Sequence, residues 1–393
     1  MRRPIFLSLA ITVVCAFPVF LLGALSIQMR GDLGFSLTML GLFIAVFRGS
    51  GALVAVPLGR LADRIGPASS MRIAALIAAV AAAGTAGLAR SPVTLVVFLI
   101  VAGTANALGQ ASANLTLARG VEDGKQGMAF GLKQSALPIG ALLAGLTVPL
   151  LAVTVGWRWA FALAAVAASA VAIAAQSDHS KTPTIDRSNR RGTTGSTRLG
   201  LLTTGMLFAM AAATSLPAFT VEAAASSGLR EGLAGLLLTA GSLCAVAVRL
   251  TAGSLADRRG GRHLQVVSRM IAAGVIGFLL LSLDTVWALI LGTFIAFGLG
   301  WGFNGVFWFA VVRLNDEAPG RASATVMVGG MIGGLVGPIT FGWLADTFGY
   351  PTSWRVAALW AAIGAATIHL ARRQILADSR VVAGTTSTEI EFG

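Results

Sequence analysis

The sequence is short of charge. Asp, Glu, Lys and Arg make up 11% of its 393 residues, where a soluble globular chain carries roughly 25%. With 56% of residues hydrophobic, a water-soluble fold of this length would have nowhere to hide its apolar surface, because exposed area grows too fast with chain size. A soluble multidomain protein is excluded, and lipid is the solvent that the composition requires. Cysteine is scarce too. Cys15 and Cys244 both lie inside apolar runs, which leaves no disulfide framework and no metal-ligand spacing. The three histidines, His179, His263 and His369, stand far apart in or near polar segments, the setting of surface histidines rather than of a metal centre. No phosphate-binding loop of the Gly-x4-Gly-Lys-Ser/Thr kind occurs. No cofactor, ATP hydrolysis or enzymatic constellation is expected.

What the sequence has instead is long apolar runs. A helix needs roughly 20 apolar residues to cross the ~30 Å hydrocarbon core. Twelve segments meet that requirement: 5–29, 37–58, 71–89, 92–117, 126–152, 157–175, 199–221, 232–255, 264–283, 285–312, 321–345 and 353–371. The first run lacks a small-residue cleavage site and is expected to stay as the first helix. Of the 29 Lys and Arg, 21 fall on one side of the alternating connections. Only Arg30, Arg90, Arg158, Arg230 and Arg355 fall on the other. By the positive-inside rule this places both termini in the cytoplasm of a multi-pass inner-membrane protein. It also accounts for the net charge of +13 without any nucleic-acid partner. The partners expected are the lipid bilayer and a small-molecule substrate. Residues 176–198 carry Lys181, Arg187, Arg190, Arg191 and Arg198 among Gly, Ser and Thr, a composition that predicts a flexible cytoplasmic linker. It joins a bundle over 1–175 to one over 199–375, and the polar tail 376–393 is expected to be disordered.

The halves repeat. Gly59-Arg60-Leu61-Ala62-Asp63-Arg64 follows the second segment, and Gly253-Ser254-Leu255-Ala256-Asp257-Arg258 follows the eighth, 194 residues later. The same offset carries Arg119 onto Arg313, Glu122 onto Asp316 and Gln28 onto Glu222. Matched polar positions at one constant offset indicate a duplicated six-helix unit. With these motifs the sequence resembles the major facilitator superfamily over essentially its whole length. The resemblance implies an all-α membrane fold of twelve transmembrane helices in two pseudo-symmetric six-helix bundles, and transport by alternating access. It also implies that Gly59, Asp63, Arg64, Arg119 and Glu122, with Gly253, Asp257, Arg258, Arg313 and Asp316, form a charge lock on the cytoplasmic side. Topology-setting charge without a switch is the plainer account of the same residues.

Polarity inside the segments points to a path. Asn106, Gln110 and Asn114 stand at i, i+4 and i+8 of segment four, within about 80° of one another around a helix. At the repeat offset, Gln110 and Asn114 meet Asn304 and Trp308 of segment ten, and Ala107 meets Trp301. These residues are candidates for the cavity wall, the alternatives being interhelical hydrogen bonds and tight packing. Two cations stand well inside segments: Arg48 midway along the second, and Lys133 in the fifth beside Gln134. A charge at the bilayer centre costs at least ~2.5–3.5 kcal/mol and usually faces a wet cavity or a partner. No carboxylate lies midway along any segment, so the substrate itself is expected to bring the negative charge. Structural cations bonded to helix carbonyls remain the alternative. Glu222, towards the outer end of segment seven, is the candidate for coupling to an ion. A drug exporter with an aromatic pocket, and a non-transporting membrane sensor, are the rival functions. The topology is checked by a cysteine in place of Arg187, with Cys15 and Cys244 replaced by Ser. It should react with a membrane-impermeant maleimide in inverted vesicles only, and labelling in intact cells would overturn the orientation.

Overall fold

In a computed structural model, residues 2–120, 132–175, 196–258, 263–314 and 319–390 are described. Among them the chain is helical nearly throughout. Eleven stretches are long and apolar enough to cross a membrane, and the last, Ala322–Leu376, runs for 55 residues. As one straight helix it would measure about 80 Å, more than twice the hydrocarbon thickness. It breaks at Gly349, whose backbone (φ 81°, ψ 169°) is not helical, so it counts as two spans and the total is twelve. Span one is Arg2–Ala24, continued by Ser26–Leu33. Spans two, three and four are Leu37–Ile65, Pro67–Leu88 and Pro92–Gly120. Span five covers Leu132–Val155 and span six Trp157–Ala174. Spans seven, eight and nine are Ser196–Ser226, Glu231–Arg258 and His263–Leu281. Span ten runs from Val286 to Arg313, and eleven and twelve share Pro319–Ile390 about Gly349. The helix continues to Ile390, where the polar tail predicts disorder. That tail contains no proline to stop it.

Tight reversals join neighbouring spans. Gly66 (φ 83°, ψ 166°), Gly156 (φ 98°, ψ 158°) and Gly349 (φ 81°, ψ 169°) adopt nearly the same backbone conformation, which residues with a Cβ rarely reach. Each is followed at once by a residue that opens the next helix. The end of the bundle at which span six stops and span seven starts is termed here the linker end. The connections after spans one, three, five, seven, nine and eleven lie at the far end.

Helices in lipid gain nothing from hiding apolar surface from one another, so close contact must do the work. Glycine supplies it. A Cβ on Gly103 of span four would stand 2.2 Å from the Phe47 carbonyl oxygen and 2.1 Å from Ser50 Oγ of span two. Gly329, Gly333 and Gly337 of span eleven lie against the Thr203, Leu207 and Ala211 carbonyls of span seven, at 2.1, 2.0 and 2.4 Å by the same measure. From the sequence this glycine face suits either sliding contacts between the halves or ordinary tight packing. The contacts place it inside the C-terminal half, as fixed packing.

The halves meet along three seams at the far end. Gly23 of span one faces Pro217 of span seven, and Gly41 of span two faces Pro338 of span eleven. Gly145 of span five faces Gly235 and Thr239 of span eight, where Thr239 Oγ1 donates to the Leu142 carbonyl at 3.2 Å. Towards the linker end span two emerges from this contact, with Leu53 84% exposed and Val56 63% exposed. The two bundles therefore close at the far end and diverge below it. Gly103→Val should force spans two and four apart at a cost of about 1–3 kcal/mol, visible as a lower apparent Tm in detergent. Gly87→Ala, with open space around it, should leave the Tm unchanged, and equal Tm values for the two variants would refute the packing argument.

Candidate functional site

The polar stripe of span four and the lysine of span five form one constellation. Lys133 is 4% exposed. Its Nζ donates to Gln110 Oε1 at 2.6 Å and to Asn114 Oδ1 at 2.7 Å. Both amides turn their oxygens inward, as acceptors for an ammonium must. These are charge-assisted bonds to neutral dipoles, so the site is solvated yet keeps its positive charge. Asn106, one turn further along the stripe, does not join them: its Oδ1 is shielded and has no hydrogen-bond partner among the described residues.

Arg249 of span eight is held in the same manner by backbone. It is 5% exposed. Its Nη1 donates to the Gln134 carbonyl at 2.7 Å and its Nη2 to the Trp301 carbonyl at 3.1 Å. Those carbonyls are free because both helices are locally irregular. Residues Ala296–Trp301 form a π-helical turn, after which the α-helix resumes at Asn304, and span five has a turn at Ser135. Such turns release carbonyls from the i→i−4 ladder. The guanidinium also lies 5.1 Å from the Trp301 ring centroid, a cation–π distance. Trp301 is 3% exposed, between Phe20 of span one at 6.3 Å and Phe297 at 5.7 Å. Asn304 Nδ2 approaches the Trp301 carbonyl and Met210 Sδ, both at 3.5 Å. Trp308 is half-buried beside Phe307. Of the aromatic stripe, Trp301 is thus an anchor in the seam between halves, and Gln134 contributes its backbone to that seam.

Arg48 differs from the other two cations. It sits midway along span two, partly exposed, and its Nε is shielded without an acceptor. It reaches across to the other half: a Cβ on Gly334 of span eleven would lie 3.3 Å from Arg48 Nη1. Arg249 Nε is likewise shielded without an acceptor, but both Nη atoms of Arg249 and the Lys133 ammonium have oxygens, whereas Arg48 makes no hydrogen bond among the described residues.

The far end holds a second set of charges. Arg30 Nη1 pairs with Glu222 Oε2 at 3.1 Å across the halves, and Arg30 Nε donates to the Phe35 carbonyl at 3.1 Å. Gln28 Nε2 donates to Glu231 Oε1 at 2.9 Å. Glu222 is 7% exposed, and the Tyr350 hydroxyl also lies against its carboxylate. Asp32 accepts from Trp157 Nε1 at 2.8 Å within the N-terminal half.

The structure also brings forward a residue absent from the sequence expectations. Asp346 of span eleven accepts from the Leu37 and Thr38 backbone amides at 3.1 and 2.7 Å, and from Thr38 Oγ1 at 2.6 Å. The signal was present. Gly342-Trp343-Leu344-Ala345-Asp346-Thr347-Phe348-Gly349 is a third copy of the Gly-x-Leu-Ala-Asp-x-x-Gly pattern of Gly59 to Gly66 and Gly253 to Gly260. It escapes a search at the 194-residue offset because it relates to the three-helix repeat inverted within each half.

The expected lock is only partly within the described residues. Asp63 and Arg64 are exposed at the linker end, near Gly59. Arg313 is exposed, with its guanidinium 5.1 Å from the Phe309 ring centroid. Glu122 and Asp316 lie outside the described residues, as do the side chains of Arg119, Asp257 and Arg258 and the surroundings of Gly253.

Twelve spans in two related bundles, with Arg249 buried at the seam between them, define the class of membrane transporters built from two six-helix halves. The sequence profile of the Major Facilitator Superfamily matches residues 7–198 and 201–385, and the chain belongs to that family. The backbone is similar to that of a bacterial homologue of the human lysosomal transporter Spinster in its inward-facing, occupied conformation. The TM-score is 0.77 at 15% identity, over 95% of this chain and 97% of that one. It is also similar to a variant of the nucleoside transporter NupG, with a TM-score of 0.73 at 15% identity over 94% and 98% of the two chains. At such identities the likeness is one of fold. Among curated proteins, none matches this sequence.

Gln110→Leu should leave the Lys133 ammonium short of an acceptor, a loss of roughly 1–3 kcal/mol. The double variant Gln110→Leu/Lys133→Met removes donor and acceptor together and should be the more stable of the two in detergent thermal unfolding. The reverse order would show that Lys133 does not depend on the stripe.

Proposed function

We propose that the protein is a secondary transporter that carries a small organic or inorganic anion by alternating access, with Arg48 as the charge that meets it. The observation that carries this reading is the contrast among the three cations inside the spans. Lys133 and Arg249 are solvated by amide and backbone oxygens. Arg48 stands at the level where the halves diverge, lies beside Gly334 of the opposite half and, unlike the other two, has no hydrogen bond to any described residue. A guanidinium offers a planar fork suited to carboxylate or phosphate. An anion bound there lies between spans two and eleven, where rocking of the bundles would expose it to either end in turn. Asn106, with its free Oδ1, is placed on span four to orient a neutral donor of the solute. Lys133, held by Gln110 and Asn114, adds positive potential to the same interior without direct contact.

In this reading the linker end is cytoplasmic, in the inner membrane, as the distribution of Lys and Arg indicates. Asp63, Arg119, Asp257 and Arg313 act there as the charge lock, and Glu222, paired with Arg30, is the group through which an ion would couple. The drug-exporter alternative calls for an open aromatic wall, and the burial of Trp301 weighs against it. The test is flux into proteoliposomes across a panel of small carboxylates, inorganic phosphate and tetraphenylphosphonium, for the native protein and Arg48→Gln. One of the anions should be carried, and the variant should bind it about tenfold more weakly, ~1.4 kcal/mol. Transport of tetraphenylphosphonium alone, or unchanged anion affinity in folded Arg48→Gln, would place the exporter reading ahead.

A further inference from the structure

The first amides of a helix have no partner within it, and span two begins in the gap between the halves. Its three leading N–H groups are nonetheless all met. Met39 donates to Ser36 Oγ, the N-cap, at 3.2 Å. Leu37 and Thr38 donate to the two carboxylate oxygens of Asp346, which belongs to the other half. Thr38 Oγ1 adds a third bond to the same carboxylate. Around this cap the backbones touch: a Cβ on Gly342, one turn before Asp346, would lie 2.2 Å from the Leu37 carbonyl oxygen, and one on Gly41 would lie 2.1 Å from that of Pro338.

We propose that Asp346 is a positioning residue of the transport cycle: it closes the far end by capping span two from the opposite bundle, and its release lets that end open. Negative charge at a helix N-terminus is favourable, so the cap holds span two, and with it Arg48, against span eleven. The location makes it reversible. Thr38 and Asp346 are at least partly accessible, so when the bundles part, water can replace each partner. The same cap deep in the bilayer would leave bare amides and could not be undone cheaply. The pattern around it supports a role in motion. Gly349 and Gly66 share one backbone conformation after the same Leu-Ala-Asp sequence, so one local unit recurs at opposite ends of the molecule, at the ends of the two spans that form this seam.

The proposal rests on alternating access and is independent of the anion assignment, so its test needs no solute. Paired spin labels are placed at the exposed far-end positions 90 and 285, and in a second protein at the linker-end positions 65 and 314, with the native cysteines removed. Distances are measured in nanodiscs for the parent, Asp346→Ala and Gly342→Val. Asp346→Ala should raise the ratio of separated to closed far-end populations about tenfold and draw the linker-end labels together. Gly342→Val should move both pairs in the same directions by wedging the seam. Three outcomes overturn the proposal: unchanged distances in Asp346→Ala, a shift in Gly342→Val alone, or a broadening of both label pairs without the reciprocal movement. The first two assign the seal to packing, and the last to loss of structure.

Discussion

A cation inside a bilayer has to be given oxygens, and in this protein almost none of them come from carboxylates. That constraint organises the middle of the molecule. Lys133 obtains two amide oxygens from span four, which fixes the face that span four shows to span five. Arg249 obtains two backbone carbonyls, one from each half, which requires both span five and span ten to depart from regular helix. Because these oxygens are neutral, the charges are stabilised without being cancelled. The interior stays electropositive, and Arg48, the guanidinium with no hydrogen bond to any described residue, is placed where the bundles separate.

The far end follows the opposite rule. There the charges are paired across the halves, Arg30 with Glu222 and Asp346 with the start of span two. Full charges near water can form and break such pairs at modest cost, since each member is hydrated when released. The middle of the protein thus holds its charges by permanent dipoles, and the end by exchangeable partners. A bundle that must rock needs both: a centre that keeps its polarity in every state, and a rim whose contacts can be traded for water.

Much of the fold was legible. Apolar length gives the spans because lipid sets their length, and the Leu-Ala-Asp pattern reveals the duplication because both copies serve the same reversal. Asn106, Gln110 and Asn114 could be assigned to one face from spacing alone. What the stripe is for could not, since Lys133 approaches it from another helix. The partners of Arg249 could not be read, because they are main-chain carbonyls, which leave no mark in composition. Asp346 was missed because its motif is related by an inverted repeat, so it lies at the end opposite the two copies found first. The glycines of span eleven suited a sliding surface or tight packing equally, since a face of bare backbone carries no label of which neighbour it touches.

The π-helical turn at Ala296–Trp301 has an effect on the symmetry of the protein. A wider turn contains one residue more than the α-helix it interrupts, so everything beyond it is rotated by about 100° relative to an unbroken helix. Span four is α-helical throughout its described length, from Pro92 to Gly120. Positions 194 residues apart are therefore equivalent before the turn and point in different directions after it. Trp301 lies at the turn, while Asn304 and Trp308 follow it, which is how residues on one nominal stripe come to occupy a sealed seam and a half-open surface. A duplicated gene yields two identical walls. One wider turn in one copy, at unchanged length, is enough to make them unlike, and an interior with unlike walls can distinguish the two ends of an asymmetric solute.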